Sequence, residues 1–383
     1  MQIGADKGGT DMSDYVFRKA EQKELDKCTD LANLAFGFDF RTLLPKVYGE
    51  KPVMEAVNFV ADNGEFKGFV SVLPEGLTVG DTVLKTGYVG SVCVHPDSRG
   101  QGIMINLMAM ADSDMRENGT DIAFLNGNRQ RYEHYGFVPA GVTYTFNIHG
   151  DNWAHALKNI PADGVTFEEI HSGTELEKKA RALYHSKSVH FERTEFAELC
   201  RSYYRTPYAI LSGGEFIGYI VTNGDKNCWT EVCVVSAEHL DMAIKAWMPA
   251  HQVWGLQIFL PEWERGLRRH LACYAAGMGC GYSVQAQIFR FRRVVEAYLR
   301  VKAQTCGLSD GHMAFDIDGE RFEITVKNGA VTVRDGGDDS LKLSAYEANR
   351  LMLTPMEYEG MPETPQGWFP LGVYVASDSP DAY

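Results

Sequence analysis

The sequence predicts a mixed α/β (α+β) fold made of more than one domain. Runs of alternating apolar residues, typical of half-buried strands, are separated by segments with helical periodicity. Asp-Gly, Asn-Gly and Gly-Gly pairs stand between several of these runs and mark hairpin turns. The 383 residues are enough for two or three domains of about 100–200 residues each.

The first segment, residues 15–150, is expected to form one α/β domain behind an extension, residues 1–14. The extension is Gly-rich and has no apolar core, so we do not expect a secretory signal. Asn63-Gly64 favours a hairpin between the first two strands. The predicted elements are a helix over 18–36, strands over 57–60, 66–73, 77–83 and 88–94, a helix over 103–118, and strands over 121–126 and 143–148.

The second segment, residues 165–290, repeats this order of elements after a linker over residues 150–164. The junction between its last strand and the following helix, residues 234–239, has no glycine and no arginine. We therefore expect a degenerate copy of the first domain that binds no pyrophosphate. Its predicted elements are a helix over 176–188, strands over 208–211, 216–222 and 230–235, and a helix over 237–248.

The third segment, residues 291–383, is expected to contain a hairpin ladder. Strands over 313–317, 321–326 and 331–333 are joined at Asp318-Gly319 and Asn328-Gly329, which are strong hairpin signals. An Arg-rich run over 289–302 precedes the ladder, and we interpret it as a solvated helix start or an interface. A helix over 344–353 and a Pro-rich tail ending at Tyr383 follow.

Composition and charge exclude several functional classes. The net charge of −14 argues against non-specific nucleic-acid binding, which needs a basic surface, and is compatible with cationic small molecules. No apolar run reaches the length of about 18 residues that a membrane span needs. The eight cysteines form no Cys-x-x-Cys pair and none has a histidine at zinc spacing, so we predict no metal and a reduced, cytoplasmic protein.

The most informative stretch is the strand over 88–94 and the loop that follows it, Arg99-Gly-Gln-Gly-Ile-Met104. A glycine-rich loop at a helix N-terminus favours phosphate binding, because the first helical N–H groups have no intrahelical partner. Neither the three-glycine dinucleotide fingerprint nor the Gly-Lys-Ser/Thr end of a nucleoside-triphosphate loop is present. The alternative is an ordinary strand–turn–helix with a surface arginine.

The loop resembles the acyl-CoA pyrophosphate loop of the GCN5-related N-acetyltransferase (GNAT) superfamily. Arg99 and Gly102 match the family pattern, whereas Met104 stands where Gly or Ala is usual. The resemblance implies acetyl-CoA as cosubstrate, with pyrophosphate contacts from the loop and pairing of the pantetheine arm with the preceding strand. The implied cofactor-binding residues are Val92, Cys93, Val94, Arg99, Gly100, Gln101, Gly102, Ile103 and Asn128, although a plain turn is as good an interpretation of Asn128.

The whole chain is similar to the Eis-type (enhanced intracellular survival) acetyltransferases. The resemblance rests on Met104, on the Tyr-rich segment over 132–137, and on the ladder that begins at Leu308. It implies two tandem GNAT-like mixed-sheet domains, the second one degenerate, and a C-terminal sterol-carrier-protein-like α/β domain. It also implies a homo-oligomer, in this family a hexamer. Glu133 and the longer tail depart from the family pattern.

The resemblance suggests Tyr132 as the general acid that protonates the departing thiolate, with Tyr135 as its competitor. A phenol with an ordinary pKa of about 10 remains protonated at neutral pH and is able to donate. In the family the C-terminal carboxylate, here that of Tyr383, takes the proton of the amine. That carboxylate is weakly basic unless it is desolvated, and a polar chain end is usually loose. Glu133 and His134 are rival bases.

The sequence thus predicts an acetyl-CoA-dependent N-acetyltransferase that acts on a primary amine by direct attack in a ternary complex. An aminoglycoside-like polyamine is the favoured acceptor and a lysine side chain the second. The alternative is a non-catalytic acyl-CoA- or lipid-binding protein. Phe36, Phe38 and Phe40 are weaker candidates for the acceptor pocket, Asp39 for contact with an ammonium group, and residues 190–193 for the cleft.

Overall fold

The computed structural model describes residues 14–375 and 379–383, except the side chains of residues 152 and 153. Residues 1–13 of the predicted extension lie outside the described residues. The strands are β1 (Val16–Lys19), β2 (Val57–Asp62), β3 (Phe66–Val79), β4 (Thr82–Val94), β5 (Ile122–Leu125), β6 (Val138–Ala140), β7 (Thr143–His149), β8 (Val165–Glu169), β9 (Val189–Phe191), β10 (Thr206–Ser212), β11 (Glu215–Thr222), β12 (Cys228–Val234), β13 (Gly255–Pro261), β14 (Gly277–Gly281), β15 (Val284–Ile288), β16 (Gly311–Ile317), β17 (Glu320–Lys327), β18 (Ala330–Asp335) and β19 (Leu341–Leu343).

The helices alternate with these strands, and the predicted mixed α/β class is confirmed. They are α1 (Leu25–Phe36), α2 (Phe40–Leu43), α3 (Pro45–Tyr48), α4 (Ile103–Glu117), α5 (Arg129–Tyr132), α6 (Gly150–Ala156), α7 (Glu175–His185), α8 (Phe196–Leu199), α9 (Ala237–Ala250), α10 (Arg265–Leu271), α11 (Phe291–Thr305) and α12 (Ala345–Leu353). None of the helices in the described part of the chain is long and apolar enough to cross a membrane.

The chain divides into two compact units. Unit 1 comprises the residues up to Pro74 together with Val89–Gly119, and unit 2 comprises Glu75–Tyr88 and the residues from Thr120 onward. Strands β3 and β4 contribute residues to both units.

In unit 1, β1 pairs antiparallel with β2, and β2 with β3. Helix α4 packs so closely on β3 that a Cβ added at Gly68 would collide with the Ile103 side chain. The predicted helix over 18–36 is wrong at its start, because Val16–Lys19 adds a strand to the sheet edge. The helix begins only at Leu25, after a turn that Glu21 and Glu24 cap reciprocally.

The predicted strand over 77–83 is also wrong. In unit 2, β3 continues to Val79 and β4 begins at Thr82, so the turn between them falls in the middle of that range. Gly80 takes a φ of +64° in this turn, a conformation in which glycine carries no Cβ penalty. The end of β3 pairs antiparallel with β9.

The sheets of unit 2 exchange strands along the sequence. β15 pairs antiparallel with both β5 and β6, although about 140 residues separate it from β6. β7, which follows β6 directly, pairs instead with β13 and β14 in the seven-stranded sheet. The predicted division into residues 15–150, 165–290 and 291–383 stays a prediction, and these two strands cross it.

The seven-stranded sheet has the order β14-β7-β13-β12-β11-β10-β8. One face packs on α9, where Trp247 and Trp229 are fully buried, and the other packs on α7 through Tyr184 and Tyr219. Trp254, by contrast, is 67% exposed. Trp247 is therefore a core residue of this sheet, whereas Trp254 lies at the surface.

The third sheet confirms the predicted ladder. Its order is β18-β17-β16-β19, with hairpin turns at Asp318 and Asn328, which both take positive φ values. The Arg-rich run before it forms α11 and makes ion pairs, in which Arg292 lies 3.2 Å from Asp335 and Arg293 lies 3.2 Å from Asp121. The sterol-carrier-like character of this region stays a prediction.

Candidate active site

The end of β4 in unit 1 contains a strained residue. Ser91 has a φ of +52°, which is uncommon for a residue with a Cβ. Its hydroxyl lies 2.8 Å from the hydroxyl of Tyr48, a buried residue of α3. Such strain persists only where the surroundings fix it, and it clusters at functional sites. The irregularity immediately precedes the three residues that are candidates for pairing with pantetheine.

Those three residues, Val92, Cys93 and Val94, alternate in exposure. Val92 and Val94 are half-buried, whereas Cys93 is buried. Burial raises the pKa of the Cys93 thiol well above its ordinary value, and the neighbouring Cys28 adds to that rise. The thiol therefore remains protonated, and its side chain serves to pack β4 rather than to act as a nucleophile.

The loop from Arg99 to Gly102 turns through two left-handed glycines. Gly100 has a φ of +80° and Gly102 a φ of +81°, and nothing lies within 4 Å of a Cβ added at Gly100. Glycine is thus required there by the backbone conformation rather than by crowding. The Arg99 side chain is exposed, and Gln101 accepts a hydrogen bond of 2.7 Å from the buried Tyr15.

Helix α4 begins with no side-chain cap. Its N-cap is Gly102, so the N–H groups of the first turn, starting at Ile103, receive no oxygen from a capping side chain. The corresponding helix of the second segment, α9, is capped by Ser236, whose hydroxyl accepts from the His239 N–H. An external anion is therefore able to satisfy the start of α4, whereas the start of α9 is satisfied internally.

In unit 2, the candidate acid Tyr132 ends the short helix α5. Its side chain is 6% exposed, and its ring lies so close to Gly127 that a Cβ there would collide with it. Gln285 of β15 fixes Gly127 by donating to its carbonyl at 2.8 Å. Asn128 is the exposed N-cap of α5, and its side chain makes no cap hydrogen bond. The segment thus holds the Tyr132 ring in one place.

The rivals of Tyr132 and of the terminal carboxylate lie in the same turn. The Tyr135 ring centroid is 6.5 Å from that of Tyr132, and burial raises the pKa of Tyr135. Glu133 lies 3.4 Å from Arg129 in an ion pair, and His134 is exposed.

The chain end is docked in unit 2, contrary to the expectation of a loose terminus. Tyr383 is 5% exposed, and its ring packs edge to face on Tyr88 with centroids 6.3 Å apart. The Tyr88 hydroxyl accepts a hydrogen bond of 2.7 Å from Asn126 and also bonds to the backbone of Tyr383. Burial raises the pKa of Tyr88, which therefore stays a neutral phenol beside the chain end.

The weaker candidates in unit 1 are partly engaged in local structure. Asp39 caps α2, where it accepts from the Arg41 N–H and the Thr42 hydroxyl, and the Thr42 hydrogen bond lowers the pKa of its carboxyl. Phe40 is buried, whereas Phe36 and Phe38 are 44% and 58% exposed. Only Phe36 and Phe38 therefore present aromatic surface.

The sequence placed residues 190–193 among the cleft candidates but assigned no role to Arg193. That side chain is fully buried between the carboxylates of Glu231 and Asp381. No local sequence pattern predicts the contact between Arg193 and Asp381, since Asp381 lies 188 residues further along the chain. Within residues 14–375 and 379–383, no group of three or more His, Cys, Asp or Glu side chains is arranged to hold a metal ion.

Solved structures share the fold over most of the chain. A probable N-acyltransferase from Enterococcus faecalis, of unknown function, is 14% identical with a TM-score of 0.66. A GCN5-related N-acetyltransferase from Anabaena variabilis is 15% identical with a TM-score of 0.64, and Eis1 from Mycobacterium abscessus is 13% identical with a TM-score of 0.60. Each match covers 88% of this chain and 89% of the other. No curated protein matches the sequence.

The first part of the chain also matches a family model. Residues 16–140 match the acetyltransferase (GNAT) domain, a range that contains the loop, the strained strand and Tyr132. At identities of 13–15%, similarity to these solved structures shows the fold alone. The evidence for the type of domain therefore comes from the family model. Residues 16–140 are therefore similar to a GNAT acetyltransferase domain, and the predicted enzyme class, an N-acetyltransferase, is confirmed.

Proposed function

We propose that the protein transfers the acetyl group of acetyl-CoA to a primary amine by direct attack in a ternary complex. The observation that carries this proposal is the start of α4. Two left-handed glycines lead into a helix that has no side-chain cap, whereas the matching helix α9 is capped by Ser236. Of these two helix starts, the one before α4 is therefore the one suited to the pyrophosphate of the donor.

The donor's contacts follow from this loop. Arg99 supplies a positive charge, and the backbone N–H groups of residues 100–103 bind the pyrophosphate. Val92, Cys93 and Val94 pair with the pantetheine arm as an added strand, and Asn128 is a further contact. A backbone N–H of the same strand polarises the thioester carbonyl, and such a preorganised donor lowers the barrier by about 3–4 kcal/mol.

The transfer itself needs two proton movements. The amine nitrogen attacks the thioester carbon, and the C–S bond breaks to release the CoA thiolate. Tyr132 donates its phenolic proton to that thiolate. The terminal carboxylate of Tyr383 accepts the proton that the amine loses, and the burial of this last residue supports the role, because a base has to be held in place.

The acceptor is best described as a cationic primary amine. The net charge of −14 favours polycationic molecules, so an aminoglycoside-like polyamine comes first and a lysine side chain second. The resemblance to Eis-type enzymes adds the sterol-carrier-like domain and a homo-oligomer, a hexamer in that family. The cysteine pattern adds a cytoplasmic location. The second candidate function is an acyl-CoA- or lipid-binding protein without turnover.

Release of free CoA thiol from acetyl-CoA, measured against a panel of polyamines and lysine peptides, tests this function. We expect turnover with at least one amine and a loss of about 10²–10⁴-fold in kcat for Tyr132→Phe, the range of general acid catalysis. Tyr135→Phe is the matched control and should retain activity. Binding of CoA with no turnover on any amine, together with no effect of Tyr132→Phe, would establish the binding protein instead.

A further inference from the structure

A buried arginine joins the second segment to the chain end within unit 2. Arg193 follows β9 and is 0% exposed. Its Nη1 and Nη2 donate to the two oxygens of Glu231 at 2.8 Å each, and its Nε and Nη2 donate to the two oxygens of Asp381 at 2.8 and 2.7 Å. One guanidinium thus makes two forked pairs, a geometry that only arginine offers.

The surroundings of the guanidinium are closed. Its Cζ lies 3.7 Å from the centroid of the Tyr184 ring, and the Tyr184 hydroxyl donates to Asp381 at 3.2 Å. Glu231 accepts a further hydrogen bond of 2.7 Å from Tyr219. A buried charge is tolerated only when it is paired and hydrogen-bonded, and each of these three charges meets that condition.

The two ion pairs of Arg193 connect it to different parts of the chain. Glu231 lies on β12, so its pair with Arg193 stays inside the seven-stranded sheet and its flanking residues. Asp381 lies two residues before the chain end and is held through the guanidinium. The pair with Glu231 already balances the charge of Arg193. The second pair therefore does something beyond burying an arginine, which is to anchor the tail.

A second buried arginine forms a hydrogen bond to the same C-terminal segment. Arg205, 4% exposed, donates from Nη1 to the Ser379 carbonyl at 2.9 Å. That carbonyl also accepts from the Ala382 N–H at 3.1 Å, which closes a turn over residues 379–382. The last residue after this turn, Tyr383, then packs on Tyr88.

We propose that Arg193 is a positioning residue that clamps the C-terminal segment through Asp381 and so fixes the Tyr383 carboxylate in place. The proposal rests on the proposed function, in which that carboxylate is the base. Arg193 itself does not touch substrate. Its contribution is to remove the freedom of a chain end that would otherwise fray, since general base catalysis needs a base held within hydrogen-bond reach of the proton.

Removal of Tyr383 by carboxypeptidase A under native conditions tests the clamp without any activity assay. We expect slow release from the wild type and release at least tenfold faster from Asp381→Asn, followed by mass spectrometry. Asp381→Asn leaves the Arg193–Glu231 pair intact, so the fold should be retained. Asp335→Asn, in which the changed carboxylate is 82% exposed, is the matched control and should behave as the wild type. Equal release from Asp381→Asn and the wild type would overturn the clamp.

Kinetics of the same variants then separate positioning from donor binding. We expect Asp381→Asn to lower kcat at least tenfold and to leave KM for acetyl-CoA within about twofold, because the change acts on the base alone. A chain that ends at Ala382 tests the base separately. If that truncation keeps full activity, the proposed base is wrong, while the carboxypeptidase result still decides the clamp. If the truncation is inactive and Asp381→Asn keeps wild-type kcat, the positioning role is overturned and the base stands.

Discussion

The Tyr48 hydroxyl lies 2.8 Å from the Ser91 hydroxyl, and this contact ties α3 to the left-handed residue of β4. Tyr48 is 3% exposed and its ring packs edge to face on Phe40, so the phenol is held rigidly. A left-handed residue with a Cβ costs about 1–3 kcal/mol and needs such support. Ser91 precedes the strand residues that we propose for pantetheine, so we expect this contact to shape the proposed donor site.

Removal of that hydroxyl should loosen the strand. We expect Tyr48→Phe to lower the free energy of unfolding by about 0.5–1.5 kcal/mol, since one hydrogen bond is lost. The same variant should raise KM for acetyl-CoA by about threefold or more, as an ångström-scale misplacement weakens positioning. Denaturant unfolding and initial rates measure the two effects. Tyr282→Phe, at a residue 48% exposed, should change neither. An unchanged KM in Tyr48→Phe would contradict the support role.

The contribution of Gly100 to donor binding can be separated from the stability cost of its left-handed backbone. Gly100 and Gly37 have φ values of +80° and +75°, and nothing lies within 4 Å of a Cβ at either. Alanine at either position should therefore cost about 1–2 kcal/mol of stability, the penalty of a left-handed residue. Gly100→Ala should in addition raise KM for acetyl-CoA about tenfold, because backbone shifts move the N–H groups away from the pyrophosphate. Equal KM values in the two variants would contradict the proposal that the loop binds the donor.

The position of Tyr132 depends on the glycine beneath its ring. A Cβ at Gly127 would collide with that ring, so Gly127→Ala must displace it. We expect a loss of about 1–3 kcal/mol in stability from overpacking and a fall in kcat of about tenfold or more. Gly224→Ala, where an added Cβ meets nothing within 4 Å, is the matched control. Wild-type kcat in Gly127→Ala would show that Tyr132 is not positioned by this contact.

The thiol of the buried Cys93 should not react with alkylating reagents. Because burial raises its pKa, the reactive thiolate is scarcely populated below that pKa, and reactivity should not appear as the pH rises from 7 to 9. Iodoacetamide labelling followed by mass spectrometry should therefore modify the exposed Cys273 and leave Cys93 unmodified. Cys93→Ala should retain catalysis. Alkylation of Cys93 in the folded protein, or loss of turnover in Cys93→Ala, would contradict a packing role.

The local elements were predictable because each is specified within a few residues. The hairpins at Asp318-Gly319 and Asn328-Gly329 follow from turn residues that accept positive φ. The helix after the loop was predicted to end at residue 118 and ends at Glu117. The two glycines of the loop take the left-handed conformation, which glycine adopts without a Cβ penalty.

The long-range pairings were not predictable in this way. β7 lies next to β6 in sequence yet pairs with β13 and β14, and β15 takes the place beside β6. Apolar alternation identifies a strand and its buried face but does not say which strand it pairs with. Val16–Lys19 shows the same limit, since its pairing with β2 overrides the helical periodicity around it.

The sequence by itself determined the fold class, the loop over residues 99–104 and the lack of such a loop at residues 234–239. All three depend on residues that are neighbours in the chain. Only the tertiary structure decided where the chain end lies, because Arg193 and Asp381 are 188 residues apart in sequence and form an ion pair in the fold. A buried charge needs a partner wherever the fold can supply one, and that requirement, rather than any local pattern, docks Tyr383 against Tyr88.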